Sequence, residues 1–196
     1  MKRSLSTGSM ALLVLVFAII ISGARRITAQ ENRRPPKAEM KFLAGVSTFT
    51  KDPENNYHHT MMGGAVRYYV TRHISFEPEV LFMWRGQNDR DVVITPHLAI
   101  DLLDPAKKVV PYVMVGVGVE HRRDLIRYFD SFNGNQMLTE RINGFIWSAN
   151  MGAGVKLFLG KRLFVAPEVR TGHEPSRRFT ISIGYVFAQR KAKTAQ

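Results

Sequence analysis

The sequence contains no cysteine among its 196 residues. Disulfide bonds, thiolate nucleophiles, cysteine-ligated zinc and iron–sulfur clusters are therefore excluded. Acidic residues are also scarce, with 16 against 28 lysines and arginines, which gives a formal charge of +12. Long apolar runs are nearly absent, since only one occurs, close to the amino terminus. A polytopic helical membrane protein is excluded by this shortage.

The single apolar run, 10–21, follows two basic residues and precedes a stretch of small ones, which is the layout of a secretory signal peptide. A helix of this length measures about 18 Å, whereas the hydrocarbon core of a bilayer is roughly 30 Å thick. We therefore expect a signal peptide over 1–29, cleaved after Ala29 or, alternatively, after Ala24. An uncleaved amino-terminal anchor is the other interpretation, because two arginines follow the run.

Cleavage would change the interpretation of the positive charge. It would remove four basic residues and no acidic one, so that +12 becomes +8. Much of the remaining excess falls in 30–38, expected as a periplasmic segment, and in 188–196, expected as a basic tail. Export separates the protein from nucleic acid, and no helix carries a basic stripe, so we do not expect a nucleic-acid partner.

Hydrophobicity in the rest of the chain alternates with a period of two residues, the spacing of a β-strand. In 74–84, every even position is apolar, whereas the odd positions include Glu77 and Glu79. The same pattern predicts eight strands, at 39–49, 61–70, 74–85, 92–102, 110–120, 145–159, 162–171 and 178–187. The predicted fold is all-β: an eight-stranded antiparallel up-and-down barrel over 39–187.

The connections and an internal repeat support a closed sheet. Short turns alternate with longer polar loops, of which 50–60 and 121–144 are the longest, as in an up-and-down barrel. An offset of 89 residues brings Pro78 onto Pro167 and aligns a second hairpin with the first. A duplicated hairpin favours a repetitive closed sheet, although two strands with similar requirements could also converge on one pattern.

Alternation alone does not say which face points inward, but the polar face gives an indication. It is rich in glycine, serine, alanine and threonine, which suit the crowded interior of an eight-stranded barrel. Its charges are of both signs and can pair in an enclosed lumen, where an unpaired ion is costly. We predict a polar network in the lumen that comprises Lys41, Arg67, Glu77, Glu79, Asp101, Lys156, Glu168 and Arg170. A soluble barrel with a solvated outer face is the alternative.

The apolar face would then contact lipid, which makes the barrel a transmembrane one. Aromatic residues lie near the strand ends, where an amphipathic ring suits the membrane interface. The aromatic residues predicted at the interface are Tyr68, Trp84, Trp147, Tyr185 and Phe187. In a soluble barrel the same rings would form the core.

Four segments bring the chain close to a known family: GGAVRYY at 63–69, PYVMVGVG at 111–118, GAGVK at 152–156 and RFTISIGYVF at 178–187. They resemble small bacterial outer-membrane β-barrel proteins of the porin-like or OmpA/OmpX-like class. The resemblance covers roughly 38–187. It implies residence in the cell outer membrane of a Gram-negative-type bacterium and insertion by the barrel-assembly machinery. The aromatic end of the last strand, at Phe187, would be the signal for insertion, although nine residues follow it.

Sites of chemistry are few. No metal-ligand spacing appears among the six histidines, and we expect no catalytic, cofactor or metal site. His173, Glu174 and Ser176 have the composition of an outer-membrane lipid-modifying enzyme, but neighbours in a proline-bearing loop rarely form a triad. We therefore expect a non-enzymatic barrel with a structural or surface-interaction role and a side-chain-filled lumen. The alternatives are such an enzyme and a secreted lipocalin-like barrel that binds an apolar ligand.

The expected partners are outer-membrane lipid and lipopolysaccharide. Basic and aromatic residues in the predicted loop 121–144 would contact the anionic lipopolysaccharide or another surface partner. They are Arg122, Arg123, Arg127, Tyr128 and Phe129.

Overall fold

The chain forms eight antiparallel strands. The computed structural model describes residues 34–52, 55–85, 89–130, 136–173 and 177–189, with side chains for 34–48, 58–84, 90–123, 143–173 and 177–189. The strands are β1 (Pro36–Asp52), β2 (Asn55–Tyr69), β3 (Ile74–Arg85), β4 (Asp89–Asp101), β5 (Val109–Asp130), β6 (Gln136–Phe158), β7 (Leu163–His173) and β8 (Arg177–Gln189). Each pairs with the next in sequence, and β1 pairs with β8, so the sheet closes. The predicted fold class is confirmed. Among these residues, no helix could span a membrane.

The strands are longer than the alternation predicts. The segment 121–144, expected as a long loop, forms the outer parts of β5 and β6, which stay in register as far as the Asp130–Gln136 pair. The segment 50–60 is likewise mostly strand, because Thr50 pairs with Asn56. The expectation of long loops at this end is therefore wrong. Beyond a membrane both faces of a strand meet water, so pairing continues where the alternation of hydrophobicity fades.

The other end of the barrel, which we call the turn rim, consists of 34–35, 70–73, 102–108 and 159–162. The turn at 159–162 is closed by a hydrogen bond of 2.9 Å from the backbone N–H of Leu159 to the carbonyl of Leu163. Gly160 has a φ of 122°, which glycine adopts without a steric penalty. The short connection between the predicted strands 145–159 and 162–171 is confirmed.

The two faces of the sheet have opposite polarity. Exposed apolar side chains cover the outer surface, including Trp147 at 73% exposure and Ile181 at 62%. The lumen contains the polar face, and among the described residues seven acidic and five basic side chains are buried there. The orientation predicted from the small residues and paired charges is therefore confirmed.

Apolar side chains fill the lumen where ions do not. One cluster, towards the turn rim, includes Phe158 and Phe164, and a second consists of Leu43, Met61, Leu81, Met83 and Val93. Glycines make room for the largest groups, since a Cβ on Gly184 would lie 2.0 Å from the ring of Phe164. Apolar and charged side chains therefore both occupy the described part of the interior.

The internal repeat corresponds to two hairpins on different parts of the barrel. One is β2–β3 and the other is β6–β7, four strands further along the sheet. Arg67 and Lys156, which the offset aligns, both point into the lumen. The two halves therefore each contribute a basic residue to the interior.

Candidate functional site

The lumen contains a network of buried ions that joins six of the eight strands. Lys41 of β1 reaches across to β7, where its Nζ lies 2.5 Å from Glu168 Oε1, and to β3, where it lies 2.8 Å from Glu77 Oε1. Arg67 of β2 forms an ion pair with the same Glu77 and lies 3.4 Å from Asp101 of β4. The pair between Arg67 and Glu77 joins consecutive strands, whereas the contacts of Lys41 and that of Arg67 with Asp101 join strands that are not neighbours in the sheet or in sequence.

Arg170 of β7 is the best-bonded cation of the network. Its Nη1 and Nη2 donate to the two carboxylate oxygens of Glu79 at 2.6 and 2.7 Å, in a bidentate arrangement. The Nη2 and Nε also donate to Glu168 Oε2 at 2.5 and 3.1 Å. Bidentate charge-assisted hydrogen bonds of this kind are among the strongest in proteins.

Two tyrosines and Lys156 complete the network towards the turn rim. Lys156 Nζ lies 2.8 Å from Asp101 Oδ2 and 3.5 Å from Glu39 Oε2. The hydroxyl of Tyr69 donates to Asp101 Oδ2 at 2.8 Å and also contacts Lys156. The hydroxyl of Tyr112 donates to Glu168 Oε1 at 2.6 Å, and the guanidinium of Arg67 lies 4.4 Å from its ring centre.

All eight residues that the sequence assigns to the lumen lie in this network. Sequence reasoning missed Glu39, Tyr69 and Tyr112, which stand on the inward face of their strands. The signal was available in the spacing, because residues two apart in a strand lie on the same face. Glu39 is two residues from Lys41, and Tyr69 is two residues from Arg67. The partners of these residues could not be predicted in this way, because the alternation gives the face of a strand on which a residue lies but not the residue opposite it across the lumen.

The network leaves no room for a solute. The space bounded by Lys41, Arg67, Tyr112 and their neighbours does not admit a water molecule. Every acidic residue of the network contacts at least one cation, which offsets the cost of burying it. The arrangement suits a rigid scaffold and offers no open path.

One group of metal-ligating residues occurs among the described side chains. Ligand atoms of Glu77, Glu79 and His97 lie within 4.8 Å of one another. However, the guanidinium of Arg170 already lies among them, with Nη1 at 2.6 Å from Glu79 and 3.4 Å from His97 Nε2. A cation is thus supplied by the chain itself, and these residues do not fit a metal centre.

The histidines do not form a site elsewhere. His58 is exposed, whereas His59 is buried in the lumen, so the two neighbours point to opposite faces of β2 and do not share one ion. His173 is exposed at the end of β7, and Glu174 and Ser176 lie outside the described residues.

The predicted interface aromatics are on the outer surface at both ends. Tyr68, Tyr185 and Phe187 are exposed beside the turn rim, and Trp147 is exposed in the other half of the barrel. Trp84, near the end of β3, is only partly exposed. An exposed ring in this position contacts lipid on one side and polar headgroups on the other.

Beyond the barrel, β5 and β6 continue as a two-stranded ribbon, residues 124–130 and 136–142, which we call the β5–β6 ribbon. The described pairing of β4 with β5 ends at Arg123, and that of β7 with β6 begins at Ala149. At the base of the ribbon, Arg122 bonds Glu120 at 2.9 and 3.2 Å, and Arg123 is exposed. Arg127, Tyr128 and Phe129 lie in the ribbon, where side chains are not described.

Comparison with known proteins gives similarity in fold. No protein-family model matches the chain, and no curated protein matches it significantly. Among solved structures, the amino-terminal β-barrel domain of OprF from Pseudomonas aeruginosa has a TM-score of 0.51 at 16% identity, covering 76% of this chain and 97% of that one. Neisserial surface protein A has a TM-score of 0.56 at 9% identity, with coverage of 76% and 96%. The fold is that of small outer-membrane β-barrels.

Proposed function

We propose that this protein is a non-enzymatic, integral outer-membrane β-barrel of a Gram-negative-type bacterium. It would be exported through the signal peptide at 1–29 and inserted by the barrel-assembly machinery. The observation that carries the proposal is the inverted polarity of the sheet, with exposed apolar side chains outside and buried ions inside. Exposure of so large an apolar belt is unfavourable in water and favourable in lipid.

The lumen supports a structural role and gives no support to a soluble carrier. A lipocalin-like protein needs an apolar cavity inside the barrel, whereas this lumen is closed by ion pairs and packed side chains. An enzymatic role would need a nucleophile and a base within hydrogen-bond reach. The described carboxylates of the network are instead engaged by lysine and arginine. The lumen therefore acts as a brace that holds the strands together.

The β5–β6 ribbon supports a role at the cell surface. A two-stranded ribbon that projects from a barrel presents strand edges on which an extended chain can pair. Its base includes Arg122 and Arg123, and three further residues with basic or aromatic side chains follow in β5. We propose that these residues contact lipopolysaccharide, whose phosphates would attract the arginines.

The membrane location is tested with the full chain in a Gram-negative host. We expect the protein in the outer-membrane fraction, without residues 1–29. We also expect unboiled protein to migrate faster than boiled protein in detergent gels, because a closed barrel resists unfolding. Recovery in the soluble periplasmic fraction, with one mobility for both samples, would overturn the proposal.

The surface role is tested by shortening the ribbon. Leu125 and Arg141 face each other across β5 and β6, so residues 126–140 can be replaced by a two-residue Asn-Gly turn. The shortened protein should still show the fast unboiled band, whereas its binding of purified lipopolysaccharide should fall severalfold. Unchanged lipopolysaccharide binding by the shortened barrel would exclude the ribbon as the contact.

A further inference from the structure

The two ends of the barrel differ sharply in charge. The described residues of the end that bears the ribbon, 49–52, 55–58, 85, 89–91, 121–130, 136–143, 173 and 177, include eight basic and six acidic ones. The exposed charged residues of the turn rim and of the adjoining start of β1 are almost all basic. This end has seven exposed basic residues, which we call the basic collar: Arg34, Lys37, Arg72, Lys107, Lys108, Lys161 and Arg162. The positive charge of the barrel is thus concentrated at one rim.

The collar adjoins the lipid-facing surface. Each of the three turns combines an exposed apolar residue with basic ones: Val70 precedes Arg72, Leu102 precedes Lys107 and Lys108, and Leu159 precedes Lys161 and Arg162. The apolar side chains are between 48% and 72% exposed. Long basic side chains next to such residues can lie along apolar surface and extend their charge to the headgroup level.

The one acidic residue of these turns does not cancel the charge. Asp104 accepts hydrogen bonds from Arg72 Nη2 at 2.5 Å and from the backbone N–H of Ala106 at 3.0 Å. It therefore neutralises one member of the collar. Arg162 is held at the interface by Tyr185, to whose hydroxyl its Nη1 donates at 3.0 Å. The remaining six cations of the collar are exposed beside the apolar side chains of the turns.

We propose that the basic collar binds the headgroups of anionic phospholipids in the leaflet that meets the turn rim. The occupant is a lipid because the collar is continuous with the apolar belt: the phosphate would meet the lysines and arginines while the acyl chains lie against the leucines and valine. Short turns mark the periplasmic end of outer-membrane barrels, so this leaflet is the inner one. The inference rests on the proposed function only in that the barrel spans a bilayer.

The test uses the full barrel reconstituted in phosphatidylcholine bilayers with a trace of spin-labelled lipid. Electron paramagnetic resonance distinguishes lipid at the protein surface from bulk lipid. It therefore compares the association of labelled phosphatidylglycerol with that of labelled phosphatidylcholine. We expect phosphatidylglycerol to associate about threefold more strongly at low salt. The preference should approach unity at about 1 M salt, where the Debye length is about 3 Å.

Two matched variants locate the preference. The collar variant carries Lys108→Gln and Lys161→Gln, and we expect its preference to fall by about a third. The control carries Arg90→Gln and Arg177→Gln, two exposed arginines near the opposite rim that lie outside the proposed lipopolysaccharide contact. It removes the same charge and should keep the preference of the unmodified barrel. Both variants leave the lumen untouched.

The failures are distinguishable. A barrel that inserts and shows the fast unboiled band, but has equal association with both lipids, would overturn the collar proposal alone. An equal loss of preference in the two variants would overturn it as well, because net charge and not the collar would then be responsible. A chain that does not insert into the phosphatidylcholine bilayer would overturn the proposed membrane function, and the collar proposal with it.

Discussion

Two arginines that face each other in the lumen have very different surroundings. Arg170 of β7 and Arg178 of β8 are cross-strand neighbours and are 2% and 1% exposed. Arg170 makes four hydrogen bonds to Glu79 and Glu168, whereas Nε and Nη1 of Arg178 have no hydrogen-bond partner. Arg178 Nη1 lies 3.9 Å from Glu79 Oε1, and Nη2 donates to Ser148 Oγ at 3.5 Å. Burial alone therefore does not make an ion stabilising, because the cost of desolvation is offset only where ion-pair and hydrogen-bond partners are in place.

Removal of the well-bonded arginine should have the largest effect. Arg170→Met leaves Glu79 and Glu168 with fewer cations in a closed lumen, and we expect the free energy of unfolding to fall by about 3–5 kcal/mol. Urea titration of the reconstituted barrel, followed by gel mobility of unboiled samples, measures the loss. Thr180→Val is the control, because Thr180 pairs with Glu168 across the strands and its hydroxyl has no partner. A control as destabilised as Arg170→Met would mean that packing, not charge, is disturbed.

A single hydrogen bond of the network tests its strength at finer scale. Tyr112→Phe removes the donor to Glu168 and keeps the ring beneath Arg67. We expect a loss of about 1.5–3 kcal/mol, the usual range for a hydrogen bond to a charged group. Tyr68→Phe, on the lipid-facing surface, should change the same urea midpoint by less than about 0.5 kcal/mol. Equal effects of the two substitutions would contradict the distinction between lumen and outer face.

The poorly bonded arginine should be dispensable. Arg178→Met replaces a buried guanidinium that has only two distant contacts by an apolar chain of similar length. We expect the free energy of unfolding to change by no more than about 1 kcal/mol, or to rise. The same urea titration decides between the two arginines. A loss as large as that of Arg170→Met would break the comparison and show that Arg178 is essential to the brace.

The smallest effect is expected outside the lumen, at the turn rim. Partial burial disfavours the ionised form of Asp104, but hydrogen bonds from Ala106 and Arg72 outweigh it and hold the pKa of Asp104 below its ordinary value. Because the folded-state pKa is depressed, the stabilisation is present above the ordinary pKa and is lost as pH falls through the depressed one. Its size should stay below about 1 kcal/mol, as for other exposed ion pairs.

This contribution is measured as the difference in urea midpoint between the unmodified barrel and Asp104→Asn. The difference should be constant around pH 6 and vanish in strong acid. Use of the difference removes the titration of the lumen carboxylates, which both proteins share. A difference that grows on acidification would contradict the sign of the pKa shift.

The sequence predicts the barrel because each strand has one face in lipid and one in the lumen. In 74–84 this contrast places Glu77 and Glu79 inward without ambiguity. The contrast disappears outside the membrane, where 121–144 appears irregular although it is paired strand. Alternation thus predicts the strands where the two faces differ and underestimates them elsewhere.

The composition of the network could be predicted more fully than its pairing. Parity assigns Lys41 and Glu168 to the lumen, but their contact joins residues 127 positions apart in the chain. Which ions meet depends on the register and stagger of all the strands between them. The difference in hydrogen bonding between Arg170 and Arg178 likewise has no signature in the sequence, because both are inward-facing arginines that pair with each other in the β7–β8 hairpin.

The late position of β7 in the chain has a consequence for how the protein can be made. Glu79 lies in the first half of the chain, whereas Arg170, which donates to both of its carboxylate oxygens, arrives only with the seventh strand. A sheet that entered hydrocarbon one strand at a time would carry the Glu79 carboxylate into lipid without that cation. Insertion and closure must therefore occur together, and the incomplete barrel needs a hydrated environment shielded from lipid until its last strand has paired.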